Sequence, residues 1–241
     1  MRGEGAPSPI YEGEDSVIAR ILGGKNAKYK VPLPKKKEPK KAILETYTKE
    51  YSAEYQAQAL IDIAKKLNKK IKNLDQIKKI DIYTSHHTHY VIGTGANDPQ
   101  KMDPNASRET LDHSIMYIFA VALEDASWHH IRSYNKSRAN KKSTIKIWKS
   151  IKTHEDKKWT KKYHDPNPRK KSFGAKVVIT MNNGKKFTEE LERADAHPYG
   201  SRPFERVNYI NKFSILTKDI LSKKEISRFL KVVQSLKNLK K

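Results

Sequence analysis

The chain has 241 residues, a formal net charge of +23 and no cysteine. Lack of thiols excludes disulfides, thiolate zinc sites and an all-cysteine iron–sulfur cluster, and no apolar run reaches the roughly 18 residues of a membrane helix. Met1 to Asp15 has no apolar signal-peptide core, so the expectation is a soluble, cytoplasmic protein with one sizeable core plus appendages.

The basic excess invites a nucleic-acid reading. The lysines are spread along the chain in pairs, on helix faces and in loops, and no helix-turn-helix, zinc-finger or RNP pattern accompanies them. A general bias toward lysine and asparagine gives the same picture. The expectation is therefore no membrane partner and no specific nucleic-acid partner, with a positive surface that draws in a small polyanionic substrate.

In chain order, Ser16 to Leu22 is a short helical pattern stopped by Gly23 and Gly24. Lys25 to Lys41 is a Lys/Pro-rich linker, and Ala42 to Thr48 is β-like. Ser52 starts a helix to about Leu67, with Ala57, Leu60, Ile61, Ala64 and Leu67 at helical spacing. Ile77 to Tyr83 is a strand, and Gly93 to Asn105 is a long, shaped loop. From Ile115 to Leu123 the apolar residues go all the way round, as in a helix buried on every side.

Ser127 to Asn140 reads as irregular, Ser143 to Ser150 as a short helix and Ile151 to His154 as a strand. Asp156 caps a helix through Tyr163. Phe173 to Met181 and Lys185 to Glu192 alternate around Asn182-Asn183-Gly184, a hairpin signal. Helices over Phe204 to Leu221 and Lys223 to Leu239 follow, with Ser222 and Glu225 at capping-box spacing for the second. The sum is an α+β fold: a small mixed or antiparallel sheet, closed by a hairpin and packed by helices. The segments are residues 1–41, 42–200 and 201–241.

Thr84 to Asp125 organises the chemistry. His86, His87 and His89 have His-x-His spacing, which suits a metal, but no further ligand lies at a completing spacing. They alternatively line a loop, or one of them faces substrate carboxylates. Arg108, Asp112, His113 and Tyr117 crowd the entrance of the apolar helix, and His113 and Tyr117 share one face because positions four apart stack on a helix. A histidine moves protons near neutrality, a tyrosine donates a hydrogen bond, and an arginine grips carboxylates bidentately. Lys101 either binds a carboxylate or is a solvated loop lysine. Arg193, Asp195, His197 and Arg202 either line a cleft or, as favoured, form a salt-bridged joint between domains, and His129, His130, His164 and Asp165 read as surface or packing groups. No phosphate loop, nucleophile elbow, dinucleotide fingerprint or zinc-protease helix is present.

THYVIGTGANDPQKMDPNASRETLDHSIMYIFAVALED, with TYTKEYSAEYQAQALIDIA, SFGAKVVIT and ADAHPYGSRPF, closely resembles the MmgE/PrpD family, in particular its iron–sulfur-independent 2-methylcitrate dehydratases. The resemblance implies loss of water from 2-methylcitrate to give 2-methyl-cis-aconitate in propionate catabolism, with no metal or organic cofactor, by a homodimer. It implies a cleft between an all-helical half and an α+β domain, with Tyr117 and His113 as catalytic residues. Arg108, Lys101, His86 and His89 are then the substrate-binding residues. The family's helical half has only a remnant here, Gly3 to Leu22. The chain is thus expected to form one wall of the site, to need that half as a partner and to pack its C-terminal helices against it. The rival readings are a related dehydratase, decarboxylase or epimerase of citrate or another polycarboxylate, a non-catalytic assembly domain, and a basic nucleic-acid-binding module.

Overall fold

The computed structural model describes residues 17–20, 35–38 and 46–236, and the chain divides into two compact units, Met1–Thr46 and Tyr47–Lys241. In the first unit, α1 (Val17–Arg20) falls inside the helical pattern expected there. Most of the linker and of the β-like run lies outside the described residues, and the described end of that run, residues 46–48, is not strand.

The second unit is built on four strands: β1 (Ile77–Thr84), β2 (Ile151–Glu155), β3 (Ala175–Met181) and β4 (Lys186–Leu191). Their order is β2-β1-β3-β4. β1 and β2 run parallel, and the other two pairs are antiparallel, so the sheet is mixed and the fold is α+β. The β3–β4 hairpin turns through Asn182, Asn183 and Gly184, and Gly184 takes the positive φ of 83° that closes the turn. Ile80, Ile82, Val177 and Ile179 are buried on the core side. The other face is partly solvated, as antiparallel pairing permits. It carries Asp81, which accepts from Lys79 (2.8 Å) and pairs with His154 (2.9 Å), and Tyr83 stacked on His154.

α2 (Gln58–Lys70) packs on β3 and β4, and α4 (Ile115–Asp125) packs between α2 and α6 (Lys142–Lys149). Every residue of α4 from Ile115 to Leu123 is buried, as its unbroken apolar sequence requires. α3 (Arg108–Asp112) precedes it, and α5 (Lys136–Ala139) lies in the stretch read as irregular. That stretch also contains a 3-10 turn over Arg132–Tyr134. α7 (Lys157–Tyr163) starts at Asp156, whose carboxylate accepts the Lys158 N–H at 2.8 Å.

Two boundaries moved. The helix expected from Ser52 begins as a 3-10 turn, Tyr55–Ala57, capped by Glu54. The Gln58 side chain explains the delay: it bonds the Tyr51 N–H and the Tyr51, Ala53 and Glu54 carbonyls, holding residues 51–54 out of the helix. α8 (Arg206–Thr217) starts after Pro203, with Asn208 returning a bond to the Glu205 N–H. α9 (Lys223–Gln234) has the Ser222 cap expected, while the Glu225 carboxylate turns to Arg228. Neither α8 nor α9 contains a buried residue. Among the described residues, no helix is long and apolar enough to cross a membrane.

Glu124, at the end of α4, gathers α5 and α6. Its carboxylate accepts from Arg138, Lys141, Ser143 and Thr144. Burial alone pushes its pKa up, but those hydrogen bonds and the Arg138 charge bring it down to about 2. Stability from this group is therefore complete above the ordinary value of 4.5 and is lost as pH falls through about 2. Urea titrations from pH 6 to 2 should show the Glu124→Gln variant less stable at pH 6 and converging with the parent at pH 2.

Candidate active site

Three segments of the second unit meet near a half-buried carboxyl group, that of Glu54: the strand-free run 48–54, the α3–α4 junction, and residues 127–134. Glu54 caps the turn entering α2, and its carboxylate accepts the Gln56 N–H. Burial is the largest influence on it and raises its pKa above 4.5, against the backbone hydrogen bonds and the charges of Lys49 and His113. Glu54 thus has a tendency to keep its proton, with Lys49 and His113 within electrostatic reach. The Gln56 side-chain amide lies between Glu54 and Tyr163, its nitrogen donating to the Glu54 carboxylate and its oxygen facing the Tyr163 hydroxyl.

The run that carries Glu54 is held from two sides. Gln58 grips its backbone, as above. One turn on, Asp62 accepts the Tyr51 hydroxyl at 2.6 Å and the Asp195 N–H at 2.8 Å. The Ser52 carbonyl accepts from Trp128 Nε1 (3.1 Å) and from the Tyr134 hydroxyl (2.8 Å). Tyr134 also bonds Asp112, and the Arg108 guanidinium lies 4.7 Å over the Tyr134 ring. A cleft of about 340 Å³ opens beside Ser52, lined by Glu50, Trp128, His129, Arg202 and Lys212 among others. Burial, then Lys49, lowers the Lys212 pKa, and burial, then Arg132, lowers that of His129.

The residues singled out in the sequence fall into two neighbourhoods. His113 and Arg108 belong with Glu54, Asp112 and Tyr134. His113 is exposed, with Nδ1 at 2.9 Å from the Glu109 carbonyl. His86 and His89 instead belong to the end of β1: His86 Nδ1 lies 3.0 Å from Glu155 and His89 Nδ1 2.6 Å from Thr153 Oγ1. His87 stacks on Tyr163. Lys101 pairs with Asp98 at 3.2 Å, and its carbonyl accepts from Ser114 at 2.8 Å. Among the described residues, no group of three or more histidine, aspartate or glutamate side chains converges in a way that would hold a metal.

His113 and Tyr117 do not share one helix face. α3 ends at Asp112, Ser114 caps α4 through the Tyr117 N–H, and the break rotates the two side chains apart. Tyr117 is 0% exposed, its ring lies against Trp148 and its hydroxyl donates to the Ser133 carbonyl. Burial pushes its pKa up to about 12. The Ala194–Phe204 turn is a salt-bridged joint: Arg202 pairs with Glu50 at 2.7 Å, and Asp195 lies 3.6 Å from Lys66.

Sequence reading passed over Glu54 and Lys49. The available signal was a carboxylate at the cap of a strongly apolar-periodic helix, four residues before a glutamine. Compared with known families, residues 51–238 match the model of the MmgE/PrpD C-terminal domain.

Glu54 also makes a prediction about stability. A carboxyl group with a raised folded pKa contributes most below its unfolded value and loses that contribution as pH rises through the folded one. Glu54→Gln should therefore melt higher than the parent at pH 8, and the gain should vanish by pH 4. Melting curves of both proteins across that range check it; a variant destabilised most at pH 8 contradicts it.

Proposed function

The chain belongs to the MmgE/PrpD family, whose C-terminal domain it contains, and from that premise we propose that it forms one wall of a dehydratase site for a hydroxy polycarboxylic acid, 2-methylcitrate in particular. Membership makes the chain part of a dehydratase-type lyase. The observation that supports the finer reading is the Glu54 carboxyl, half-buried, inclined to hold its proton and within electrostatic reach of Lys49 and His113.

Dehydration removes a proton from the carbon beside a carboxylate and a hydroxyl from the neighbouring carbon. In this reading His113 takes the proton, and the released electron pair becomes the new carbon–carbon double bond. The carbon–oxygen bond breaks, and Glu54 supplies its proton so that the hydroxyl leaves as water. Lys49 and Arg108 hold the carboxylates, and the lysine-rich surface raises the local concentration of a trianion. Tyr117 works from behind the site by fixing the Ser133 carbonyl next to Tyr134. Lys101, His86 and His89 already have protein partners and play a secondary part.

The opposite wall is assigned to the family's helical half. Its docking surface on this chain is α8–α9, where Val207, Tyr209, Ile215, Phe229 and Val232 are exposed. The assembled enzyme is a homodimer in this reading.

The test supplies the helical half as a second chain and follows the ultraviolet absorbance of the conjugated acid, with product analysis to separate 2-methylcitrate from citrate. Glu54→Gln should lower kcat by roughly 10²–10⁴-fold, the range of general acid–base catalysis. His113→Asn should do likewise. Tyr117→Phe should cost about 1 kcal/mol of stability and slow turnover far less. Full activity in Glu54→Gln would remove this mechanism.

A further inference from the structure

A second site lies on the other side of the Glu54 segment, where the Ala194–Phe204 turn meets the start of α2. There a small, partly open cavity of about 10 Å³ is lined by Tyr55, Gln58, Phe173, Arg193 and His197, among others. That is the room of a single atom-sized guest. Two of its walls carry polar atoms that are buried and have no protein partner: Arg193 Nε and His197 Nε2. Such orphans are rare in folded proteins and call for a bound species.

Both orphans are donors. His197 is 2% exposed, and its Nδ1 accepts the Tyr199 N–H at 3.0 Å. That bond leaves the ring proton on Nε2. Burial, with the Arg193 charge, lowers the His197 pKa to about 4, so the ring is neutral at pH 7 and keeps this tautomer. Arg193 is a permanent cation. Its one neighbouring carboxylate, Glu192, is shared with Lys162, so two cations face a single anion.

Nearby acceptors are committed elsewhere. The Gln58 side-chain oxygen takes the Tyr51 N–H, and the Ala194 carbonyl takes the His197 N–H. Two donors without a protein partner match a guest that accepts hydrogen bonds from both.

We propose that the cavity between Arg193 and His197 binds one monoatomic anion, a halide such as chloride, held by the Arg193 Nε–H and His197 Nε2–H donors. The ion ties the Ala194–Phe204 turn to the entrance of α2, one turn from Glu54. The proposal is independent of the dehydratase reading, since neither donor takes part in it.

Two measurements decide it. Crystals of the full chain grown in sodium bromide should give, at the bromine edge, an anomalous peak within hydrogen-bond distance of both nitrogens. An oxygen-sized peak without anomalous signal means a buried water and overturns the proposal. In solution, replacing fluoride by chloride at constant ionic strength should raise the melting temperature by roughly 2–4 °C, as a ligand of the folded state does. His197→Asn, or Arg193→Lys if the first variant does not fold, should lose that increment. An increment of the same size in the folded variant overturns the proposal as well.

Discussion

The complete burial of α4 is the constraint on which the second unit depends. A helix with apolar residues on every side has no stable surface in water. α2 and α6 must lie against it, and the sheet must lie beyond α2 to finish the enclosure. The polar atoms at its two ends are satisfied by neighbours recruited for that purpose. Ser114 closes the N-terminal end, taking the Tyr117 N–H and giving its own proton to the Lys101 carbonyl. Glu124 closes the other end and gathers the cations of α5 and α6. The loops that bear the ionisable groups are thus fixed by the requirements of one apolar helix.

The same enclosure explains where chemistry is and is not available. Tyr117 sits in the sealed part of α4, so its hydroxyl serves the backbone of the following turn. The ionisable side chains of this region lie one layer out, where residues 48–54 pass over the start of α2. Gln58 and Asp62, both on α2, hold that run by side-chain bonds, which keeps a carboxyl group partly out of water. Desolvation of such a group is costly, and burial accordingly raises the Glu54 pKa above its ordinary value.

Much of the architecture was legible in the residues. An uninterrupted apolar run can only be a buried element, and Asn-Gly between alternating strands can hardly be anything but a hairpin. Ile77 to Tyr83, the Asp156 cap and the salt-bridged joint around Asp195 and Arg202 follow the same logic of local pattern. What escaped reading was set by distant contacts. SRETLDHSIMYIF looks like one helix, and the break at Ser114 depends on the Lys101 carbonyl arriving from another loop. Glu54 looks like an ordinary cap, because its burial is supplied by tertiary packing. His86 and His89 belong to the same histidine-rich stretch as His113 yet turn toward β2, since the strand ends before them.

The two outer strands of the sheet are finished in different ways. On β2, the Thr94 hydroxyl accepts the Thr153 N–H at 3.0 Å and donates to the Thr153 carbonyl at 3.3 Å, so one side chain occupies the place of a neighbouring backbone. On β4, Glu189 and Glu190 are each matched by a lysine from a helix, Lys70 and Lys158. Threonine mimicry at one margin and fixed charge at the other both discourage an added strand. Edge-to-edge addition of a further ribbon, the ordinary route from a small sheet to fibrils, is thereby opposed at both margins.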